Sequence, residues 1–193
     1  MQQTVAEAVT ISMELASAPA VFAGLPQKIN AGILVIDKDE EIYRVTKGLI
    51  DSLCPVFYAP GLDAAIAVIQ EQEIAVVVAD VGTGNADVTA MIKLLKQENP
   101  QILSIVLTAA SDSDLVIGLI NQAQIFRFLN KPAKVKILKS HLQAALAQYI
   151  VFQKSPHLLK QHRVQESAQV RNSSAGRKIL AGLLSLPGRW FKA

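Results

Sequence analysis

Cysteine is the scarcest reactive residue in this sequence, because Cys54 is the only one among 193 residues. One cysteine forms no internal disulfide and no cysteine-based metal cluster, so we expect it to be a small buried side chain. No stretch of eighteen uncharged apolar residues occurs, and no cationic segment precedes an apolar core at the N-terminus. We therefore expect neither a transmembrane helix nor a signal peptide, and we predict a protein of the reducing cytoplasm.

Charge is scarce as well as unevenly distributed. Charged residues make up 18% of the chain and hydrophobic residues 51%, with a mean hydropathy of +0.31. This composition excludes a mostly disordered protein, and the length suits one well-buried domain with extensions. Residues 153–193 carry a net charge of +7 and residues 1–152 a net charge of −4, so the basic character belongs to the C-terminal part.

Apolar runs alternate with stretches of helical periodicity along the middle of the chain. Five runs predict strands: Ile33–Ile36, Val56–Ala59, Ile74–Asp80, Ile102–Thr108 and Ile125–Leu129. The segments between them predict helices: about 42–53, Leu62–Gln70, Asp87–Asn99 and Asp112–Gln122, with a fifth helix after Lys131-Pro132. Strands that alternate with helices indicate an α/β fold, here a flavodoxin-like, doubly wound, five-stranded parallel sheet.

Extensions are predicted at both ends of this domain. We divide the chain into an N-terminal helical extension at 1–29, the α/β domain at 30–152, and a basic linker with an amphipathic tail at 153–193. The linker is predicted at Gln165–Gly176. The fifth helix carries an apolar stripe that either covers the sheet or forms a coiled-coil-like seam: Leu138, Leu142, Ala145, Tyr149 and Phe152. Pro156 should end or kink this helix.

Four polar residues fall at the ends of four predicted strands, namely Asp37, Asp80, Thr108 and Lys131. The carboxyl ends of parallel strands meet at one edge of a sheet, where ligands usually bind. The alternative is that Asp80 only caps a loop and that Lys131 only pairs with it.

The segments at these strand ends resemble the receiver domains of two-component response regulators. The resemblance covers about residues 31–150 and lies in four segments: 33–37 (ILVID), 76–80 (VVVAD), 105–109 (IVLTA) and 126–132 (FRFLNKP). It implies that Asp80 is the phosphoacceptor, that Asp37 helps to hold Mg²⁺, and that Thr108 and Lys131 contact the phosphoryl group. It also implies that Phe128 is a switching aromatic residue, partner to Thr108.

The sequence departs from the family pattern at Lys38. The family usually has two adjacent acids after the first strand, and the second is a metal ligand, whereas here the pair is Asp37-Lys38. Magnesium requires oxygen ligands, so Lys38 should weaken a site formed by Asp37 and Asp80. We hypothesise that Lys38 partly takes the place of the metal and forms an ion pair with Asp80. The loop that follows Asp80 also lacks the Met-Pro and the later Gly common in the family.

Two functions remain open at this point. One is a phosphorelay receiver with output through protein contacts and no enzymatic turnover, and the other is a pseudo-receiver that docks or dimerises without phosphorylation. The implied partners are a sensor histidine kinase or another signalling protein, and a second copy bound through the fourth or fifth helix. The basic tail favours a protein partner or a membrane surface over nucleic acid, since no nucleic-acid-binding motif is present. The alternative is that the tail is disordered. A flavodoxin-like enzyme or nucleotide binder lacks the required glycines.

Overall fold

The computed structural model describes residues 28–82, 86–109, 125–162 and 173–184. Predictions for the N-terminal extension, for the helix at Asp112–Gln122 and for the last nine residues lie outside these ranges. No helix in the described part of the chain is long and apolar enough to cross a membrane.

The sheet has five parallel strands in the order β2-β1-β3-β4-β5, as the alternating pattern predicts. The strands are β1 Gly32–Ile36, β2 Val56–Ala59, β3 Ile74–Asp80, β4 Leu103–Thr108 and β5 Arg127–Asn130. The prediction for β5 was displaced by one or two residues, and the other strands match to within one residue. The chain reverses its direction of travel across the sheet between β1 and β3, which creates a crevice at their carboxyl ends.

Five α-helices lie in the described ranges. They are α1 Glu41–Ile50, α2 Leu62–Glu71, α3 Ala86–Glu98, α4 Val135–Lys154 and α5 Ser174–Leu184, and a 3₁₀ helix spans Pro156–His162. Helix α4 ends two residues before Pro156, in agreement with the helix end predicted there.

The core lies on both faces of the sheet because alternate strand residues point to opposite sides. Leu34 and Ile36 of β1 join the cluster beneath α2, α3 and α5. Ile33 and Val35 join the cluster beneath α1 and α4. Strands that are covered on both faces need continuous apolar sequence, which explains the uninterrupted runs in β1 and β3.

The apolar stripe of α4 covers the sheet. All five of its residues are buried in the cluster under α1 and α4: Leu138, Leu142, Ala145, Tyr149 and Phe152. These side chains are consequently not available as a coiled-coil seam, and a second copy that uses α4 would have to contact its outer face. Cys54 is buried in the same cluster, as predicted.

Helix α5 differs from the predicted linker and tail. It begins at Ser174, inside the segment predicted as linker, and packs on α2 and α3. Its Ile179 and Leu183 are buried in the same core cluster as β1 and β3 residues. The apolar residues that we expected to meet a partner or a membrane therefore meet the chain's own helices in this segment. Local amphipathicity predicts the helix, but it does not say which surface the helix covers.

Candidate functional site

Asp37 and Asp80 come together at the crevice between β1 and β3. Asp37 directly follows β1 and is 5% exposed, and Asp80 is the last residue of β3. Each carboxylate is oriented by a backbone N–H two residues further on. Asp39 donates to Asp37 Oδ1 at 3.1 Å, and Gly82 donates to Asp80 Oδ1 at 3.0 Å. In both residues the second oxygen, Oδ2, remains for other partners.

Lys131 bridges the two carboxylates. Its Nζ lies 2.7 Å from Asp37 Oδ2 and 3.0 Å from Asp80 Oδ2. Partial burial acts to lower the pKa of Lys131, but the hydrogen bonds and charges of the two aspartates outweigh it and raise the pKa above its ordinary value. The ammonium is thus held charged between two carboxylates at the crevice of the sheet.

Strand β5 brings Lys131 to the site by its pairing with β4. Thr108 pairs in register with Asn130, and the backbone N–H of Lys131 donates to the Thr108 carbonyl at 2.9 Å. The Lys131-Pro132 peptide bond is cis. Thr108 is 1% exposed, and its hydroxyl donates to the Ala109 carbonyl at 3.3 Å. Phe128 lies on the same strand as Asn130 and is 46% exposed, so its ring is on the surface.

The prediction of an ion pair between Lys38 and Asp80 is wrong. Within the described residues, the cation at ion-pair distance from Asp80 is Lys131. Lys38 is exposed and lines the mouth of the site, while its carbonyl accepts a hydrogen bond from the Tyr58 hydroxyl at 3.4 Å. The physical reason is the position of Lys131 directly after β5. Its ammonium pairs with both carboxylates at once, so Lys131 takes the place at Asp80 that was predicted for Lys38.

A third carboxylate, missed from the sequence, faces the same site. A cavity of about 140 Å³ is lined by Asp37, Lys38 and Asp80, and also by Asp87 and Val88 in the first turn of α3. Pro60, Gly61 and Leu62, where β2 leads into α2, complete the far wall. An acid in the first turn of a helix usually serves the helix dipole, so the sequence carried only a weak signal for Asp87.

The residues present do not form a complete magnesium site. No group of three His, Cys, Asp or Glu side chains in the described residues is arranged to hold a metal ion. The Oδ2 atoms of Asp37 and Asp80 are both engaged by Lys131, and Lys38 adds a second positive charge at the mouth. Magnesium needs several oxygen ligands in near-octahedral geometry, so this pocket is poorly suited to it.

The fold is a doubly wound α/β domain with a cluster of two aspartates and a lysine at the crevice of its sheet, and comparison with known proteins identifies the family. The family model of the response regulator receiver domain matches residues 33–143, more than half of the chain. The chain therefore belongs to the response regulator receiver domain family of two-component signalling.

Individual relatives are more distant. The hydrogenase transcriptional regulatory protein HoxA from Cupriavidus necator is 24% identical over 102 residues, which make up 53% of this chain and 21% of HoxA. The chain thus matches about a fifth of the length of this relative.

Solved structures share the fold. The adenylate cyclase structure from Rhodopirellula baltica is 26% identical with a TM-score of 0.60. The match covers 68% of this chain and 98% of the cyclase chain in that structure. The signal receiver domain of an HD domain-containing protein from Pseudomonas fluorescens is 24% identical with a TM-score of 0.59, at 65% and 93% coverage. A response regulator receiver domain protein from Clostridium thermocellum is 25% identical with a TM-score of 0.51, at 64% and 97% coverage.

Proposed function

We propose that this protein is a phosphorelay receiver module in which Asp80 accepts the phosphoryl group and the output is a change in protein contacts. The observation that carries the proposal is the bridge of Lys131 between Asp37 and Asp80 at the crevice of the sheet. A carboxylate oxygen of Asp80 attacks phosphorus as the bond to the donor breaks, a P–N bond in a phosphohistidine and a P–O bond in acetyl phosphate. The donor leaves as imidazole or as acetate, respectively. Lys131 then offsets the charge that the phosphoryl oxygens bring into the pocket.

The proposed switch runs from Asp80 through Thr108 to the surface. Thr108 ends the strand next to β3, and its hydroxyl would turn from the Ala109 carbonyl to a phosphoryl oxygen. Its neighbouring strand β5 carries the exposed Phe128, whose ring would follow the movement of the β4 end. An order change in such a segment is an ordinary way to alter a binding surface.

The proposed partners are a sensor histidine kinase or another signalling protein, and a second copy of this chain. Large apolar side chains are exposed on β5 and α4 and support a protein contact: Phe128, Val135, Ile137 and Val151. We propose no catalytic turnover and no role in nucleic-acid binding.

Intact-mass spectrometry after incubation with acetyl phosphate, with and without magnesium, tests the function. We expect a gain of one phosphoryl group in the wild type and none in Asp80→Asn. Asp51→Asn is the matched control, because it makes the same change at an exposed position at the end of α1. The expected adduct is an acyl phosphate, so hydroxylamine should remove it. A gain that persists in Asp80→Asn would refute Asp80 as the acceptor.

The second candidate function is a pseudo-receiver that docks or dimerises without phosphorylation. It is favoured by the same pocket, where Lys131 already pairs with both carboxylates and Lys38 lines the cavity in place of an acid. No mass gain in folded wild-type protein, together with binding of a partner that is unchanged in Asp80→Asn, would establish this function in place of the first.

A further inference from the structure

Helix α5 packs on α2 and α3, the two helices whose first turns line the Asp80 pocket. Ile179 and Leu183 are buried against α2 and α3, and Lys178 Nζ lies 2.5 Å from Asp63 Oδ1 in the first turn of α2. The Gly182 carbonyl accepts a hydrogen bond from Gln70 Nε2 at 3.2 Å. These contacts hold α2 at its first turn and at its last turn.

The helix crossing depends on the absence of a side chain at position 182. A Cβ atom at Gly182 would lie 2.5 Å from Ile66 Cγ2, well inside van der Waals contact. A larger residue there would consequently separate α5 from α2, although it would favour the helix itself over glycine. Helix α5 has only eleven residues. A helix of fewer than about 12–15 residues is marginal in water by itself, so its order depends on docking.

The docked helix also creates a second cavity beside the Asp80 pocket. This cavity, of about 620 Å³, is lined by Ser174 and Lys178 of α5 together with the start of α2. The two cavities share a wall: Pro60, Gly61, Leu62 and Asp87 line both of them. The residues that separate α5 from Asp80 therefore form a single layer that faces both cavities.

We propose that α5 is an autoinhibitory strap whose docking on α2 and α3 opposes phosphorylation of Asp80. While α5 is docked, it fixes the shared wall, which includes Asp87, beside a pocket that already holds Asp37 and Asp80. An incoming phosphoryl anion meets three carboxylates there, and Lys131 is the cation that bridges two of them. Release of α5 frees the first turn of α3 to move Asp87 away. Phosphorylation adds negative charge to the cavity that Asp87 also lines, and the repulsion in turn loosens α5.

The test uses the full-length chain with Gly182→Leu, and with Gly48→Leu as the matched control. Gly48 lies in α1 with open space around its Cβ position, so the same substitution there leaves α5 docked. We expect amide hydrogen exchange of residues 174–184 to accelerate in Gly182→Leu alone. The initial rate of phosphorylation by acetyl phosphate should rise about fivefold, at the low end of usual coupling between sites. Faster exchange with a phosphorylation rate equal to that of Gly48→Leu would overturn the proposal.

A milder variant covers the case in which Gly182→Leu does not fold. Lys178→Glu turns the exposed ion pair with Asp63 into a repulsion and should change both readouts in the same direction, by about twofold. The double variant Lys178→Glu/Asp63→Lys restores opposite charges and should return both readouts toward the wild type. A phosphorylation rate in Lys178→Glu that matches the wild type despite faster exchange of α5 would refute the coupling.

The proposal depends on Asp80 being the phosphoacceptor, and a separate readout distinguishes the two failures. If no variant gains a phosphoryl group, the proposed function fails, and exchange of α5 in Asp80→Asn then decides whether the pocket and the helix are coupled. Removal of one negative charge beside Asp87 should slow exchange at residues 174–184 relative to the wild type. Unchanged or faster exchange would overturn the coupling itself.

Discussion

Removal of the Lys131 ammonium should destabilise the protein, because two carboxylates would then face each other in a closed crevice. At 2.7 and 3.0 Å, each ion pair is worth about 6 kcal/mol at an effective dielectric constant of ~20 before desolvation and screening. The Lys131 side chain is 33% exposed and Asp37 only 3%, so much of this attraction offsets burial of the charges. We expect Lys131→Met to lower the free energy of unfolding by about 2 kcal/mol.

Urea denaturation followed by far-UV circular dichroism measures this loss, with Lys134→Met as the control at an exposed neighbouring position. The double variant Lys131→Met/Asp37→Asn should be more stable than Lys131→Met, because the asparagine removes the unpaired charge. Its side-chain oxygen can still accept the Asp39 N–H. Stability of Lys131→Met within about 0.5 kcal/mol of the control, the range of an ordinary surface change, would refute the reasoning.

The pH dependence of this difference follows from the direction of the pKa shift. The pKa of Lys131 is raised above the ordinary 10.5 in the folded protein. The folded state therefore holds its proton more tightly than the unfolded chain does, and the stabilisation is complete below pH 10.5. The difference between wild type and Lys131→Met should stay constant from pH 7 to 9, and should shrink as the pH rises through the raised pKa.

Three further predictions concern single side chains. Lys38→Asp should strengthen magnesium binding at least about tenfold in an NMR titration, with Lys136→Asp as control; equal affinities would show that Lys38 does not weaken the site. Burial lowers the pKa of Lys96 to about 8. The unfolded chain therefore holds this proton more tightly, and the free energy of unfolding of the wild type should rise between pH 8 and 10.5 relative to Lys96→Met, by at most about 3 kcal/mol. Parallel pH profiles would contradict this. Burial, and secondarily Asp51, raises the pKa of Cys54 to about 11. Iodoacetamide at pH 8 should therefore alkylate folded protein at least about 100-fold more slowly than urea-unfolded protein. Comparable rates would contradict a closed core at Cys54.

The sheet could be predicted from sequence because its strands obey a strong local rule. A strand that is covered on both faces must be apolar at every position, and β3 meets this rule from Ile74 to Ala79. Its end is equally clear, since Asp80 is the first polar residue after the run. The parallel arrangement then brings Asp37 and Asp80 to the same edge without any further information.

The pairing inside the site depends on geometry that sequence distance does not contain. Lys38 adjoins Asp37 in the chain, but its side chain is exposed at the mouth, whereas Lys131, 94 residues away, reaches Asp37 Oδ2. Register between β4 and β5 decides this, because the Lys131 N–H donates to the Thr108 carbonyl and fixes where the lysine leaves the strand. A displacement of one residue in that register would point the ammonium to the other face.

The position of α5 was the least predictable feature, and the reason is chemical. Arg177 to Leu184 has the pattern of many surface-binding segments, and nothing local separates docking in cis from docking on a partner. The distinguishing residue is Gly182. In an isolated helix a glycine lowers the stability of the helix by about 1 kcal/mol relative to alanine. Against Ile66 it is the residue that permits close contact between the two helices. A glycine on the apolar side of an otherwise regular helix is therefore better explained by a close helix crossing than by flexibility, and here the crossing helix belongs to the same chain.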